Sequence, residues 1–241
     1  MSGKIALVGS GEYLPGMGEL EAWLLEDRPR TYIQIATAAA PEGERSIARW
    51  HELGKEAAQR LDAQQVVIDI RNRADADDPK IAQAIAGAGL IYLSGGNPNF
   101  LAQTLRETLA WKSILEQWRS GASIAGCSAG AMALCGYVPN FRHPKQGGES
   151  GLGLVFNARV IPHFDRYSRF IPDFALKPLL TDGQQIIGID ENTALTSSGP
   201  GENHAREWAF RSVGQGSSWR IDADRKHRIN SSIQLLVDTH G

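Results

Sequence analysis

The chain has 241 residues, 42% of them hydrophobic and 22% charged, with a formal net charge of −2 and a pI near 6.3. That length suits one large domain or two very small ones and is enough to bury a sizeable core. The charge excludes a nucleic-acid binder held by electrostatics, because phosphate contact needs clustered Lys and Arg, and no window of the sequence approaches a membrane span.

The first strand-like run, KIALVG (4–9), is short, begins with a single lysine and ends at a glycine, so it lacks the length and flanks of a signal peptide. It leads into GSGEYLPG (9–16), which begins like a dinucleotide-binding turn but has no third glycine, and no ribose-binding acid follows at the expected distance. A nucleotide cofactor is therefore not expected. Further β-branched runs follow at TYIQIAT (31–37), QQVVIDI (64–70), GLIYLSG (89–95) and SIAGCS (123–128). The segments between them place apolar residues at helical spacing, as with Ile47, Trp50, Leu53 and Ala57. Strands that alternate with helices imply right-handed crossovers, a mostly parallel sheet flanked by helices on both faces, and a site at the carboxyl ends of the strands.

Two of those strand ends carry candidate chemistry. After the run at 89–95, LSGGNPNFL places Gly96 on a tight turn, with Asn97 and Pro98 as cap and first residue of a helix. The Gly96 N–H is a candidate oxyanion donor, although an ordinary strand-to-helix turn would use the same residues. After the run at 123–128, Gly126-Cys127-Ser128-Ala129-Gly130 fits G-x-S-x-G between a strand and a helix, the context of a nucleophile elbow. Ser128 is central and is the candidate nucleophile, with the Ala129 N–H as second oxyanion donor. Cys127, in the variable slot, should face the strand packing as a small hydrophobe. Cys127 and Cys135 lie in one short segment, which argues against a disulfide framework and for a reducing, cytoplasmic setting.

From residue 139 the stretch PNFRHPKQGGESGLG reads as a loop, followed by the strand-like ARVIPHF, a helix around 172–181, strands IIGID and TALTSS, and hairpin strands in the tail. A serine needs a base, and of six histidines His163 ends an apolar strand, while His51 lies in a helix, His143 and His204 in polar loops and His227 and His240 in the tail. The orienting acid has three candidates: Glu149, the acidic residue between Ser128 and His163; Asp165, two residues past the histidine; and Glu191, beside Asp190 at the end of IIGID. Arg166 and Arg169 could clamp a substrate carboxylate, and Asn97 is a further candidate substrate contact. Neither an H-x-x-x-H helix nor a C-x-x-C occurs, so no metal is expected.

GSGE, LSGGNPNFL, GCSAGAM, IPHFDR and GIDENTAL, in this order from Gly9 to about Leu195, resemble the S51 peptidase family, which includes dipeptidase E and cyanophycinase. The resemblance implies a fold similar to class I glutamine amidotransferases; with no long linker, one α/β domain over residues 1–241 is expected, its tail strands lying antiparallel at the sheet margin. The resemblance also implies Ser128 as nucleophile, His163 as base, Gly96 and Ala129 as oxyanion donors, and an acid between serine and histidine, which puts Glu149 ahead of Asp165 and Glu191. The implied activity is a serine peptidase acting without a cofactor on short, aspartyl peptides, with a cyanophycinase-like β-aspartyl-arginine peptidase or a silent binding protein for acidic ligands as alternatives. The expected partner is a small peptide, not nucleic acid or membrane, and a homodimer is left open.

Overall fold

The five apolar runs of the first half each form a short strand in a computed structural model that describes residues 2–139, 148–167, 184–201, 204–222 and 225–239. In chain order the elements are β1 (Ile5–Val8), α1 (Gly18–Leu25), β2 (Thr31–Ile35), α2 (Glu44–Arg60), β3 (Gln64–Val67), α3 (Arg73–Ala76), α4 (Pro79–Ala84), β4 (Leu90–Leu93), α5 (Pro98–Leu105), α6 (Leu109–Arg119), β5 (Ser123–Cys127) and α7 (Ala129–Leu134). The strands pair in parallel in the order β3-β2-β4-β5-β1. The largely apolar sequences of β1, β4 and β5 follow from burial on both faces, while β3 at the edge is half exposed, and the period of two divides the side chains. Ile5, Leu7, Ile33, Ile35, Ile91, Leu93 and Ile124 pack with α5, α6 and α7 on one face. Ala6, Val8, Tyr32, Leu90, Tyr92, Ala125 and Cys127 pack with α1 and α2 on the other.

The second half adds β6 (Tyr137–Val138), β7 (Glu149–Ser150), β8 (Ala158–Ile161), α8 (Phe164–Tyr167), β9 (Gln185–Ile189), β10 (Thr193–Ser197), β11 (Pro200–Gly201), β12 (His204–Gly214), β13 (Ser218–Ile221), β14 (Lys226–Arg228) and β15 (Ile233–Leu236). As expected, the C-terminal strands extend the large sheet in antiparallel fashion: β10 pairs with β1, β12 with β10, and β11 and β15 with β12. The strand in ARVIPHF does not join this sheet. It forms β8 of a separate four-stranded sheet, β14-β13-β9-β8, in which β8 and β9 are parallel. The segment between β9 and β10 therefore passes from one sheet to the other at residues 190–192, beside the carboxyl end of β1, where Gly9 donates its N–H to Thr193 O at 2.8 Å. The helix expected around 172–181 lies outside the described residues. Among the described residues no helix is long and apolar enough to cross a membrane.

Candidate active site

Ser128 sits where β5, flanked by β4 and β1, turns into α7. Its backbone is at φ 50°, ψ −107°, a region that a non-glycine residue occupies at a cost of about 1–3 kcal/mol and that lifts its side chain out of the sheet. The two glycines of the pattern are demanded by packing. A Cβ on Gly126 would be driven into the Gly130 backbone, and one on Gly130 into Leu93 O of β4. The Ser128 N–H donates to Val8 O at 2.9 Å, which ties the elbow to β1. Cys127, one residue earlier, is buried on the opposite face as expected, yet its thiol is not in a purely apolar setting: it donates to Glu12 Oε2 at 2.7 Å.

His163 follows β8 and also has a positive φ, 50°. The next residue, Phe164, is anchored in the small sheet, with its ring over Gly188 at a distance no side chain would allow. This places the imidazole Nε2 3.0 Å from Ser128 Oγ. On the other side of the ring, Nδ1 lies 2.8 Å from Glu191 Oε1, in the turn between β9 and β10. An Nδ1–H donated to that carboxylate leaves Nε2 as the acceptor for the serine hydroxyl. Glu191 is itself held at two points: its N–H donates to Asp165 Oδ1 at 2.9 Å, and its Oε2 accepts from Arg166 Nε at 2.9 Å. Asp190 accepts from the Ser217 N–H and the Trp219 indole, and burial pushes its carboxyl above the ordinary range.

The carboxylate that contacts the His163 ring is that of Glu191, whereas the expected Glu149 is bonded elsewhere. Glu149 lies in β7, opposite Val138, and its carboxylate accepts from the Gln103 side chain. The family pattern of an acid between serine and histidine favours Glu149, but β7 pairs with β6, and the carboxylate that meets the imidazole comes from the turn at 190–192. Asp165 supports the Glu191 backbone, and Arg166, with its side chain 72% exposed, holds the carboxylate through Nε. Asn97 caps α5 by accepting from the Phe100 N–H at 3.0 Å. Arg169, His143 and His240 lie outside the described residues. His227 pairs with Asp222 at 3.1 Å, and His51 lies in α2.

The Gly95–Gly96 turn borders the serine: a Cβ on Gly95 would stand 3.7 Å from Ser128 Cβ and 3.5 Å from the Trp50 ring. The Gly95 N–H donates to Glu12 Oε1 at 3.1 Å and the Asn97 N–H to Ala38 O at 2.7 Å. Between them, the Gly96 N–H has no acceptor among the described residues, nor has the N–H of Ala129, the first residue of α7. Trp50 and Glu12 are the site residues that sequence reading passes over. Trp50 reads as one apolar position of a helix, and Glu12 sits inside a glycine-rich turn that suggests a nucleotide. Burial, then the Glu12 charge, push the Cys127 thiol well above its ordinary range, and burial pushes Cys135 up to about 12. No group of three or more His, Cys, Asp or Glu side chains that could hold a metal ion occurs among the described residues.

The sequence model of peptidase family S51 matches residues 31–203, a span that includes Gly96, Ser128, His163 and Glu191. The chain belongs to family S51. Curated relatives include cyanophycinases of Trichormus variabilis and of a Nostoc species, each 28% identical over 210 residues that cover 80% of this chain and 64% of theirs. An uncharacterized peptidase of Listeria innocua is 31% identical over 143 residues, 56% of this chain and 65% of that one. The chain thus spans slightly under two thirds of the length of the curated relatives it matches. The crystal structure of a peptidase from an acI-B1 actinobacterium superposes with a TM-score of 0.84 at 40% identity and covers 97% of each chain. A putative peptidase E protein of Listeria monocytogenes shares the fold, with a TM-score of 0.63 at 22% identity over 90% of this chain and all of that one. The α/β architecture of this S51 chain is that of peptidase structures.

Proposed function

We propose that this chain is a serine peptidase that cleaves short peptides through an acyl-enzyme, with Ser128 as nucleophile, His163 as general base and acid, and Glu191 as the orienting carboxylate. The observation that carries the reading is the continuous hydrogen-bonded line from Ser128 Oγ through the imidazole to Glu191, 3.0 Å and then 2.8 Å. As the serine oxygen bonds to the scissile carbonyl carbon, its proton passes to His163 Nε2. The oxygen charge that develops is received by the Gly96 and Ala129 N–H groups. Collapse breaks the C–N bond, and the imidazolium returns its proton to the leaving amine. Water then attacks the ester by the same route, with its proton taken by His163, and frees the serine and the acid product.

For the substrate, the reading is a peptide with an aspartyl residue at the cleaved bond. Arg166 supports it: its guanidinium is mostly exposed at the mouth of the site, and only its Nε is engaged by Glu191, which leaves donors for a substrate carboxylate. The names of the cyanophycinase relatives favour a second reading, cleavage of β-aspartyl-arginine. The free, buried state of both cysteines suits the proposed cytoplasmic setting. The test is hydrolysis of a panel of Asp-X dipeptides, β-aspartyl-arginine, neutral dipeptides and glutamine by the wild type and Ser128→Ala. Serine-dependent cleavage limited to aspartyl compounds supports the reading and separates its two forms. Cleavage that survives in Ser128→Ala overturns it, and acidic-ligand binding without turnover would make the chain a silent binding protein.

A further inference from the structure

We infer that Glu12, in the GSGEY turn after β1, is a positioning residue of the active site that sets the oxyanion-binding turn against the nucleophile strand; the inference rests on the serine-peptidase reading above. Glu12 is only 6% exposed, and its two oxygens reach two parts of the site. Oε1 takes the Gly95 N–H at 3.1 Å, and Oε2 takes the thiol of Cys127, the residue before the serine, at 2.7 Å. A buried carboxylate needs hydrogen bonds to offset its desolvation, and here those bonds go to the two segments whose separation defines an oxyanion hole. With the Gly95 N–H turned inward to Glu12 and the Asn97 N–H turned to Ala38 O, the amide between them, Gly96, is the one left to face the serine.

The neighbouring residues of the turn act on the same parts. The Tyr13 hydroxyl shares a 2.7 Å hydrogen bond with Ser94 Oγ, just before the glycine turn. Ser10 Oγ accepts from the Asn192 N–H at 3.3 Å, and Gly11 lies against the Asn192 side chain at φ 86°, where a Cβ has no room. One five-residue turn thus contacts the oxyanion turn, the nucleophile strand and the acid-bearing turn.

The experiment is stopped-flow labelling of the whole protein with an alkyl fluorophosphonate. The Ser128 oxygen bonds to phosphorus, fluoride leaves with the P–F electron pair, the serine proton goes to His163, and the phosphoryl oxygen occupies the oxyanion site. Loss of an oxyanion donor costs about 10²–10³-fold, so a displaced one in Glu12→Ala and Glu12→Asp should slow the bond-forming step by roughly 10–100-fold with initial binding of the probe unchanged. Glu12→Gln keeps an acceptor for the Gly95 N–H and should label within about fivefold of wild type. Thermal unfolding checks that each variant is folded, and Glu12→Asp, which keeps the charge but withdraws it by one methylene, serves if Glu12→Ala does not fold. Wild-type labelling rates in Glu12→Asp, or Glu12→Gln as slow as Glu12→Asp, overturn the inference. No labelling of wild-type Ser128 overturns instead the peptidase reading on which it rests.

Discussion

Glu191 divides its carboxylate between the two groups that flank it, with Oε1 2.8 Å from His163 Nδ1 and Oε2 2.9 Å from Arg166 Nε. The guanidinium fixes the plane of the carboxylate, and the carboxylate fixes the tautomer of the imidazole. An amide at this position can turn its NH₂ toward Nδ1 and favour the tautomer that carries its proton on Nε2, which cannot accept from the serine. Glu191→Gln is therefore expected to lower kcat by roughly 10³–10⁴-fold. Glu149→Gln, which alters the Gln103 contact, should stay within about threefold of wild type, as polar changes away from the core do. Steady-state kinetics on any peptide cleaved by the wild type decides between them, and a reversed order would return the acid to Glu149.

The residues that sequence could place are those whose environment is local. The parallel strands are legible because Ile33, Ile91 and Ile124 face one helical layer while Tyr32, Leu90 and Ala125 face the other, so these runs carry apolar residues on both faces. Ser128 is legible because Gly126 and Gly130 are required within two residues of it by the close approach of β4 and α7. Glu191 is not, because its approach to His163 is made by the small sheet of β8, β9, β13 and β14 and by the stacking of the 190–192 turn on the glycine turn after β1. No period or spacing reports that arrangement. The strand-end rule does put Glu191, at the end of IIGID, among the candidate acids, but only the packing of the small sheet against the large one ranks it ahead of Glu149.

Cys127 stands next to Ser128 but should be inert. Its thiol is fully buried, and burial together with the nearby Glu12 carboxylate holds it in the protonated form, which does not attack alkylating agents. Iodoacetamide is expected to leave both activity and the mass of the folded protein unchanged, while unfolding in guanidinium exposes Cys127 and Cys135 to it. Rapid alkylation of folded protein at Cys127, with loss of activity, would assign the nucleophilic role to the thiol.

Gly130 tests the packing beneath the elbow. The backbone of α7 approaches β4 so closely that a methyl group on Gly130 would overlap Leu93 O, and neither partner is a flexible side-chain end. Overpacking of this kind costs about 1–3 kcal/mol, and a shift of α7 would also move the Ala129 N–H. Gly130→Ala should lower the urea midpoint by a corresponding amount and reduce kcat. Gly18→Ala, in α1 where a Cβ meets no atom within 4 Å, should leave the midpoint unchanged or raise it, since alanine favours a helix by up to about 1 kcal/mol over glycine.

Glu21 gives the fold a pH dependence of its own. It is fully buried in α1, accepts from the Tyr13 N–H at 3.1 Å and the Tyr32 hydroxyl at 3.2 Å, and has a second oxygen with no hydrogen-bond partner among the described residues. Burial is the leading cause that raises its carboxyl from 4.5 to about 7. Because the folded state holds this proton more tightly than the unfolded chain, the contribution to stability is fully present below about pH 4.5 and is lost as pH rises to about 7, where the folded state ionises too. The loss is on the order of 3 kcal/mol, and above pH 7 it levels off. Glu21→Gln, which stays neutral, should lack this slope. Urea unfolding of both proteins from pH 4.5 to 8 should therefore show the wild type weakening relative to the variant across the acidic half of the range, and parallel curves would mean that Glu21 ionises alike in the folded and unfolded chain.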